Sequence, residues 1–381
     1  MKILMVAIPN HHFFQWVNQL KDSGHEVFWF DVTDGGPKSN RIKWVTQIKG
    51  WKLKWNFPFR IALKKKYPKI YKVMQNLNEN DVVSVFQKRY DEIKPDIVHC
   101  FEMQLSGLPI LPVILNKTAP LVYSSWGSDL FYFENLGVSK QEAFQFLKRV
   151  NYLITDCKRD YKMAKTNGFS AHYFGVFPGN GGLKINLKKI KHIEERDIIM
   201  IKGYDDGVGK ASIVLKALEL VDNSLLLNKK VLIYSADRIL DLQIKTSNVL
   251  SKLNITLHLR GDFIANDVLL EFMGKSCIHI ANSLSDGMPN ALLEAMGMGA
   301  FPIQSNPGHV TEEVIVNDIN GFLINNPLDA NIIAHQIESA LIDVSLRTSA
   351  QVSNIDFIEK NYNRSYLKAK IIQLYQTVLE Q

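Results

Sequence analysis

Six residues near the start of the chain, Lys2–Ala7, are apolar almost without interruption. That is the pattern of a strand buried on both faces of a parallel sheet, not the alternation of a strand with one wet face. Phe13, Trp16, Val17 and Leu20 then recur at helical spacing up to a stop at Gly24, and Val27–Phe30 is a second apolar run. Strand, helix and strand within about thirty residues form a βαβ unit, which builds parallel sheets through right-handed crossovers. The alternation continues with strands expected at Asp96–Cys100, Leu121–Ser125 and Tyr152–Thr155, each bounded by Pro, Gly or Asn.

The segment 176–182, VFPGNGG, interrupts this series, and the lysine-rich stretch after it lacks a strong pattern. A second series follows, with strands expected at Ile198–Ile201, Val231–Tyr234, Ile255–Leu259, Cys277–Ala281 and Ala300–Gln304. Between them run helices, one with Val214, Leu218 and Val221 on a single face and another beginning at Pro289. The pattern predicts an α/β chain of two Rossmann-like, doubly wound parallel-sheet domains, residues 1–180 and 190–360, with a helix at 361–381 returning to the first. Ligands in open α/β sheets sit at the carboxyl ends of the strands, so an interdomain site is expected.

A length of 381 residues suits two hydrophobic cores. With 46% apolar and 22% charged residues, the composition is that of an ordinary globular protein. The opening apolar run is too short for a signal peptide and no stretch approaches the roughly 20 apolar residues of a membrane helix, so a cytoplasmic location is expected. Cys100, Cys157 and Cys277 are far apart and show no CxxC spacing, which points to neither a disulfide framework nor a zinc site. No metal and no cofactor are expected.

The net charge of +7 is uneven: residues 1–190 hold 28 Lys and Arg against 15 Asp and Glu, leaving 17 against 23 for the remainder. Much of the excess lies between Pro37 and Lys72, where cations are interleaved with Trp44, Trp51, Trp55, Phe57 and Phe59 and no acid occurs. Peripheral contact with an anionic membrane is one reading, since Trp and Phe bury at headgroup level while Lys meets phosphate. Core-packing helices with a solvated basic face are a second. Nucleic-acid binding is a third, and nucleic acid is not an expected partner.

The densest chemistry lies in Asn282-Ser-Leu-Ser-Asp-Gly-Met-Pro-Asn-Ala-Leu-Leu-Glu-Ala-Met-Gly-Met-Gly299, downstream of which come Glu312 and Glu313. A strand ends at Ala281, and Pro289 with Asp286 just ahead of it marks a helix start. Backbone N–H groups of Gly287, Met288 and Asn290 would then face a ligand at a positive helix end, with Pro289 among them, a ready site for phosphate oxygens. Glu294 lies eight positions after Asp286, so one acid can sit near a transferring group while the other reaches a ribose hydroxyl. Either acid alone would read as a helix cap or an exposed helical residue.

The run D-G-M-P-N-A-L-L-E-A-M resembles the paired-acid motif of the family-four retaining glycosyltransferases (glycosyl transferases group 1), with Asp286 where the family usually has Glu. The resemblance implies the GT-B fold, two Rossmann-like domains facing an interdomain cleft. It implies transfer of a sugar from a nucleoside-diphosphate sugar with retention at the anomeric carbon. The leaving diphosphate is held there by a helix end and cationic side chains without a protein-held metal. The family places Gly-Arg and then Lys-Gly in the loop after the first strand of the second domain. Here the loop reads Ile201-Lys-Gly-Tyr-Asp-Asp-Gly-Val-Gly-Lys210, so Lys210 takes the later cation's place and Lys202 stands beside the earlier one, next to Gly203. The nucleotide base is expected, by the resemblance, at the loop Arg260-Gly-Asp-Phe263, with Phe263 as a contact and uridine or guanosine as the base.

In the first domain the family has a Gly-rich loop where this chain has Pro9-Asn-His-His12, and a His where it has Trp126. His11, His12 and Trp126 are therefore the acceptor-binding candidates. Asp129 and Glu102, each after an expected strand end, join Asp286 as candidates for a role at the reacting centre, although Asp129 also reads as a helix cap and a His in such a loop is more often structural. The expected partners are the nucleotide-sugar donor and a glycan or lipid-linked acceptor, in cell-surface polysaccharide assembly. A nucleotide-sugar epimerase, or a degenerate subunit supporting an active transferase, are the alternatives.

Overall fold

The computed structural model describes residues 1–380. The chain divides into two units: the first takes residues 1–156, 160–181 and those from Lys368 on, and the second takes 157–159 and 182–367.

The first unit is built on β1 (Lys2–Ala7), β2 (Glu26–Asp31), β3 (Thr46–Ile48), β4 (Ile97–Phe101), β5 (Leu121–Ser124), β6 (Tyr152–Thr155) and β7 (His172–Val176). They form one sheet in the order β3-β2-β1-β4-β5-β6-β7, every pairing parallel. All of β4 and β5 is buried, which is why their sequences are continuous apolar runs. A core including Leu4, Val6, Phe30, Phe86, Val98, Tyr123 and Phe146 covers one face. Tyr375, from the residues after Lys368, is also interior to this unit. Its hydroxyl accepts from Trp16 Nε1 at 3.0 Å and meets His99 Nδ1 at 2.6 Å. His99 bonds Ser124 Oγ on its other nitrogen and is completely buried, so it belongs to the core of the unit and not to an open strand end.

The second unit repeats the plan with β8 (Ile198–Lys202), β9 (Lys230–Ala236), β10 (Ile255–Leu259), β11 (Ser276–Ala281), β12 (Phe301–Ser305) and β13 (Phe322–Ile324). The order is β10-β9-β8-β11-β12-β13, again all parallel. In each sheet the winding direction reverses once, between β1 and β4 in the first and between β8 and β11 in the second. Such a reversal opens a crevice at the carboxyl ends of the two strands concerned. Two doubly wound parallel sheets with flanking helices are the architecture the sequence pattern predicts.

The segment 37–72 proves heterogeneous. Ile42, Val45 and Trp51 are buried in the first unit, and the Trp51 indole donates to Asp31 O at 2.9 Å. The helices Arg60–Lys66 and Pro68–Asn78 bury only Tyr71 and Asn78 between them, so they are not the core-packing pair that one reading of the composition allowed. Among the described residues no helix is long and apolar enough to cross a membrane.

Candidate functional site

In the second unit the residues singled out by sequence converge on the β8/β11 reversal. Lys202 ends β8, and the loop after it is zipped to the loop after β11. Lys210 N donates to Asn282 O and Leu284 N to Val208 O, both at 2.9 Å. This brings the Lys202 ammonium to 3.8 Å from an Asp286 carboxylate oxygen, with both side chains about a quarter exposed. Lys210 is half-buried, and its side chain makes no hydrogen bond or ion pair among the described residues.

Two glycines of this loop are required by packing. A Cβ at Gly209 would lie 2.4 Å from the Tyr204 carbonyl oxygen, and one at Gly203 would lie 2.7 Å from Ala236 Cα. Gly203 also spends both backbone groups, donating to Tyr234 O and accepting from Asp237 N. It holds the loop against the end of β9 and has no N–H left for a ligand.

The helix after the Asp286 loop runs Asn290–Gly297 with Pro289 as its N-cap, one position ahead of the first-turn place expected. The N–H groups of Gly287 and Met288 find no hydrogen-bond partner among the described residues. The Met288 side chain itself is core, packed with Leu292, Leu293 and Val310, so only its backbone is available to a ligand. Glu294, a turn further on, is only 8% exposed. One of its carboxyl oxygens accepts from Asn266 Nδ2 at 3.1 Å and the other makes no hydrogen bond among the described residues. Burial pushes its pKa up to about 7, against the opposing pull of the Asn266 hydrogen bond and the Lys202 charge.

Neither Asn266 nor the groups around Glu294 were legible in the sequence. Tyr234, its own titration pushed far up by burial and the Glu294 charge, pairs its hydroxyl with His279 Nε2 at 2.9 Å. His279 is held neutral by burial, with a pKa lowered to about 3 and Lys202 contributing. Tyr204 lies between two cations: the Lys202 ammonium lies 4.8 Å and the Arg260 guanidinium 4.0 Å from its ring centre. Arg260 is further paired with Asp206 and Asp237. Phe263, three residues on, is 92% exposed.

In the first unit the candidates gather at the β1/β4 reversal. Asn10 caps the helix His11–Val17 by accepting from Phe13 N, which sets His11 and His12 in its first turn. His11 Nδ1 is 3.1 Å from Arg41 Nη2. The His12 ring meets Trp126 edge-on with centroids 6.2 Å apart, and Trp126 lies 5.0 Å from Phe101 at the end of β4. The next residue, Glu102, has φ 73°, a left-handed conformation that costs a non-glycine residue energy and occurs mainly where the surroundings demand it. It folds its carboxylate back onto Gln104 N and Leu105 N, and burial raises its pKa to about 7.

Asp129 is not a helix cap. It is 2% exposed and ties three segments together, accepting from Tyr123 OH at 2.6 Å, Met103 N at 3.1 Å and Trp126 N at 3.2 Å. Burial and then the neighbouring Glu102 charge hold it protonated far above the usual carboxylate range. Its oxygens are committed to positioning the β4 and β5 loops.

These arrangements bear on what the chain is similar to. Residues 242–354, which include Asp286 and Glu294, match the family described as Glycosyl transferases group 1, and residues 83–157, which include Glu102 and Asp129, match Glycosyl transferase 4-like. Among solved structures, a sucrose-phosphate synthase from Thermosynechococcus elongatus superposes with a TM-score of 0.73 at 14% identity, over 100% of this chain and 99% of that one. Anabaena Alr3699/HepE in complex with UDP and glucose gives 0.70 at 13%, over 99% and 100%. The pneumococcal O-GlcNAc transferase GtfA in complex with UDP and GlcNAc gives 0.57 at 14%, over 79% of this chain and 60% of that one. No curated protein sequence matches the chain. The structural likeness shows the GT-B fold, and a stretch of each unit matches a glycosyl transferase family model.

Proposed function

We propose that this glycosyltransferase moves a sugar, with retention at the anomeric carbon, from a nucleoside-diphosphate sugar to a glycan or lipid-linked acceptor in cell-surface polysaccharide assembly. The observation that carries the reading is the meeting of Lys202 and Asp286 at the β8/β11 reversal, beside two unpartnered N–H groups. In this reading the Gly287 and Met288 N–H groups and the Lys202 and Lys210 ammonium groups take the diphosphate. They neutralise the charge that develops as the bond to the sugar breaks, without a metal. The unpartnered Glu294 oxygen accepts a ribose hydroxyl, and Asp286 lies by the transferring sugar. Phe263 offers an open face on which a base can stack. The UDP named in two of the similar structures favours a uridine diphosphate donor.

In the first unit, His11, His12 and Trp126 line the acceptor side, Glu102 is the acid whose proton equilibrium is poised near neutrality, and Asp129 positions the two loops that carry them.

A nucleotide-release assay over UDP-, GDP- and dTDP-sugars, with and without a polyprenyl-diphosphate-linked acceptor, tests the reading. Acceptor-dependent release with one donor, lost in Glu294→Ala, is the expected result. Nucleotide binding without turnover under any condition would favour the supporting-subunit alternative instead.

A further inference from the structure

The exposed part of the basic segment forms an arm. Within the first unit the chain runs outward from Leu53 and returns at Glu79, where the two residues bridge antiparallel. Lys54 N donates to Asn78 O at 2.8 Å and Asn80 N to Lys52 O at 2.7 Å, and the Asn78 side chain bonds the Trp55 backbone through both its oxygen and its nitrogen. This root is well made. Beyond it lie the helices Arg60–Lys66 and Pro68–Asn78, tied by a 2.9 Å hydrogen bond from Arg60 Nη1 to the Tyr71 hydroxyl.

What the arm shows to solvent is apolar and cationic. Phe59 is 84% exposed, Ile61, Val73 and Leu77 are 66% and Ile70 is 57%. Ile70, Val73 and Leu77 stand at helical spacings of three and four, so they form one stripe, and Tyr71, the buried residue of that turn, points elsewhere. Single exposed apolar residues need no cause, but a stripe with aromatic neighbours does. Phe59 adds a local sign: its backbone is left-handed, at φ 62°, and nothing inside the unit buries the ring that this strain holds out.

Charge selects the occupant. Lys54, Arg60, Lys64, Lys65, Lys66, Lys69 and Lys72 are joined by no acid anywhere between Asp34 and Glu79. A surface of one sign whose long lysine stems and aromatic rings surround aliphatic side chains fits a sheet of phosphate over hydrocarbon. We propose that the arm, residues 53–79, seats this protein on an anionic lipid surface, with Phe59, Ile61, Ile70, Val73 and Leu77 at the headgroup boundary and the lysines at the phosphates. The inference goes beyond the transferase reading and holds whichever acceptor the enzyme uses.

The test is co-sedimentation of the full chain with vesicles of phosphatidylcholine alone or mixed with phosphatidylglycerol. Two variants accompany it: Lys64→Glu/Lys65→Glu/Lys66→Glu, and Phe59→Ser/Ile70→Ser/Val73→Ser. All the replaced side chains are exposed, and nucleotide-sugar turnover without vesicles verifies that each variant is folded, independently of lipid binding. Wild type is expected to pellet with the anionic vesicles, less so at higher salt, and each variant to bind them roughly tenfold or more weakly. Wild type remaining in the supernatant, or binding that both variants keep, would overturn the proposal. So would self-association in ultracentrifugation that the apolar variant abolishes, which would assign the stripe to a second copy of the chain.

Discussion

The Lys202 ammonium stands 3.8 Å from the Asp286 carboxylate; Lys202 ends β8 and Asp286 lies in the loop after β11, the two strands between which the second sheet reverses its winding. A partly exposed pair of this kind contributes only about 0–1 kcal/mol to stability. Its significance is therefore positional: a cation is kept beside an acid at the place where a diphosphate and its sugar would arrive. Lys202→Met is expected to lower turnover roughly tenfold to a hundredfold, the scale of one lost charge-assisted contact, while the thermal unfolding midpoint barely moves. A large loss of stability with unchanged turnover would make the pair structural.

Glu294 predicts a pH effect on stability. Its folded-state pKa, raised to about 7 by burial, exceeds the roughly 4.3 of an unfolded glutamate. The folded state thus holds the proton more tightly, and stability present below the lower value is lost as pH rises through the higher one, by on the order of 4 kcal/mol. Gln cannot ionise and keeps the shape. Glu294→Gln is expected to unfold with less pH dependence than wild type between about pH 5 and pH 8, and to be the more stable of the two at about pH 8. Thermal scans at both values check it, and parallel curves for the two proteins would contradict it.

Gly209 predicts a packing effect. A methyl group there meets a backbone carbonyl oxygen at 2.4 Å, and backbone yields less readily than a side chain. Gly209→Ala is expected to cost about 2 kcal/mol in urea unfolding. Gly261→Ala, where a Cβ meets nothing within 4 Å, serves as the control and should be near neutral.

Tyr375 predicts an effect in the first unit. Its hydroxyl serves both the Trp16 indole and the His99 imidazole in a fully buried place. Tyr375→Phe leaves these groups without their partner, and a cost of about 1–3 kcal/mol is expected by denaturant titration. An unchanged midpoint would mean that the two rings find other partners.

The central strands were legible because burial on both faces writes a continuous apolar run. The strands not expected, β3, β7 and β13, are all outermost in their sheets, where one side of the ladder is unpaired and a short, mixed sequence such as Thr46–Ile48 suffices. Asp286 and Glu294 stood out because their relation is local, fixed by one loop and one helix. Asn266 on Glu294, Tyr204 between Lys202 and Arg260, and Tyr123 on Asp129 pair residues through tertiary packing, which spacing along the chain does not record. Composition likewise merged two things in residues 37–72. Trp44 and Trp51 spend their indole N–H groups on Asn18 and Asp31 within the fold, whereas Trp55, at the root of the arm, is half exposed.

The most direct test of the donor site is calorimetric titration of UDP and GDP into wild type and Lys210→Ala. The Lys210 ammonium has no partner among the described residues, so its removal disturbs nothing else. The account predicts that wild type binds one of the two nucleotides and that Lys210→Ala binds it roughly tenfold or more weakly. Equal affinity in the two proteins would contradict a diphosphate site at the β8/β11 reversal.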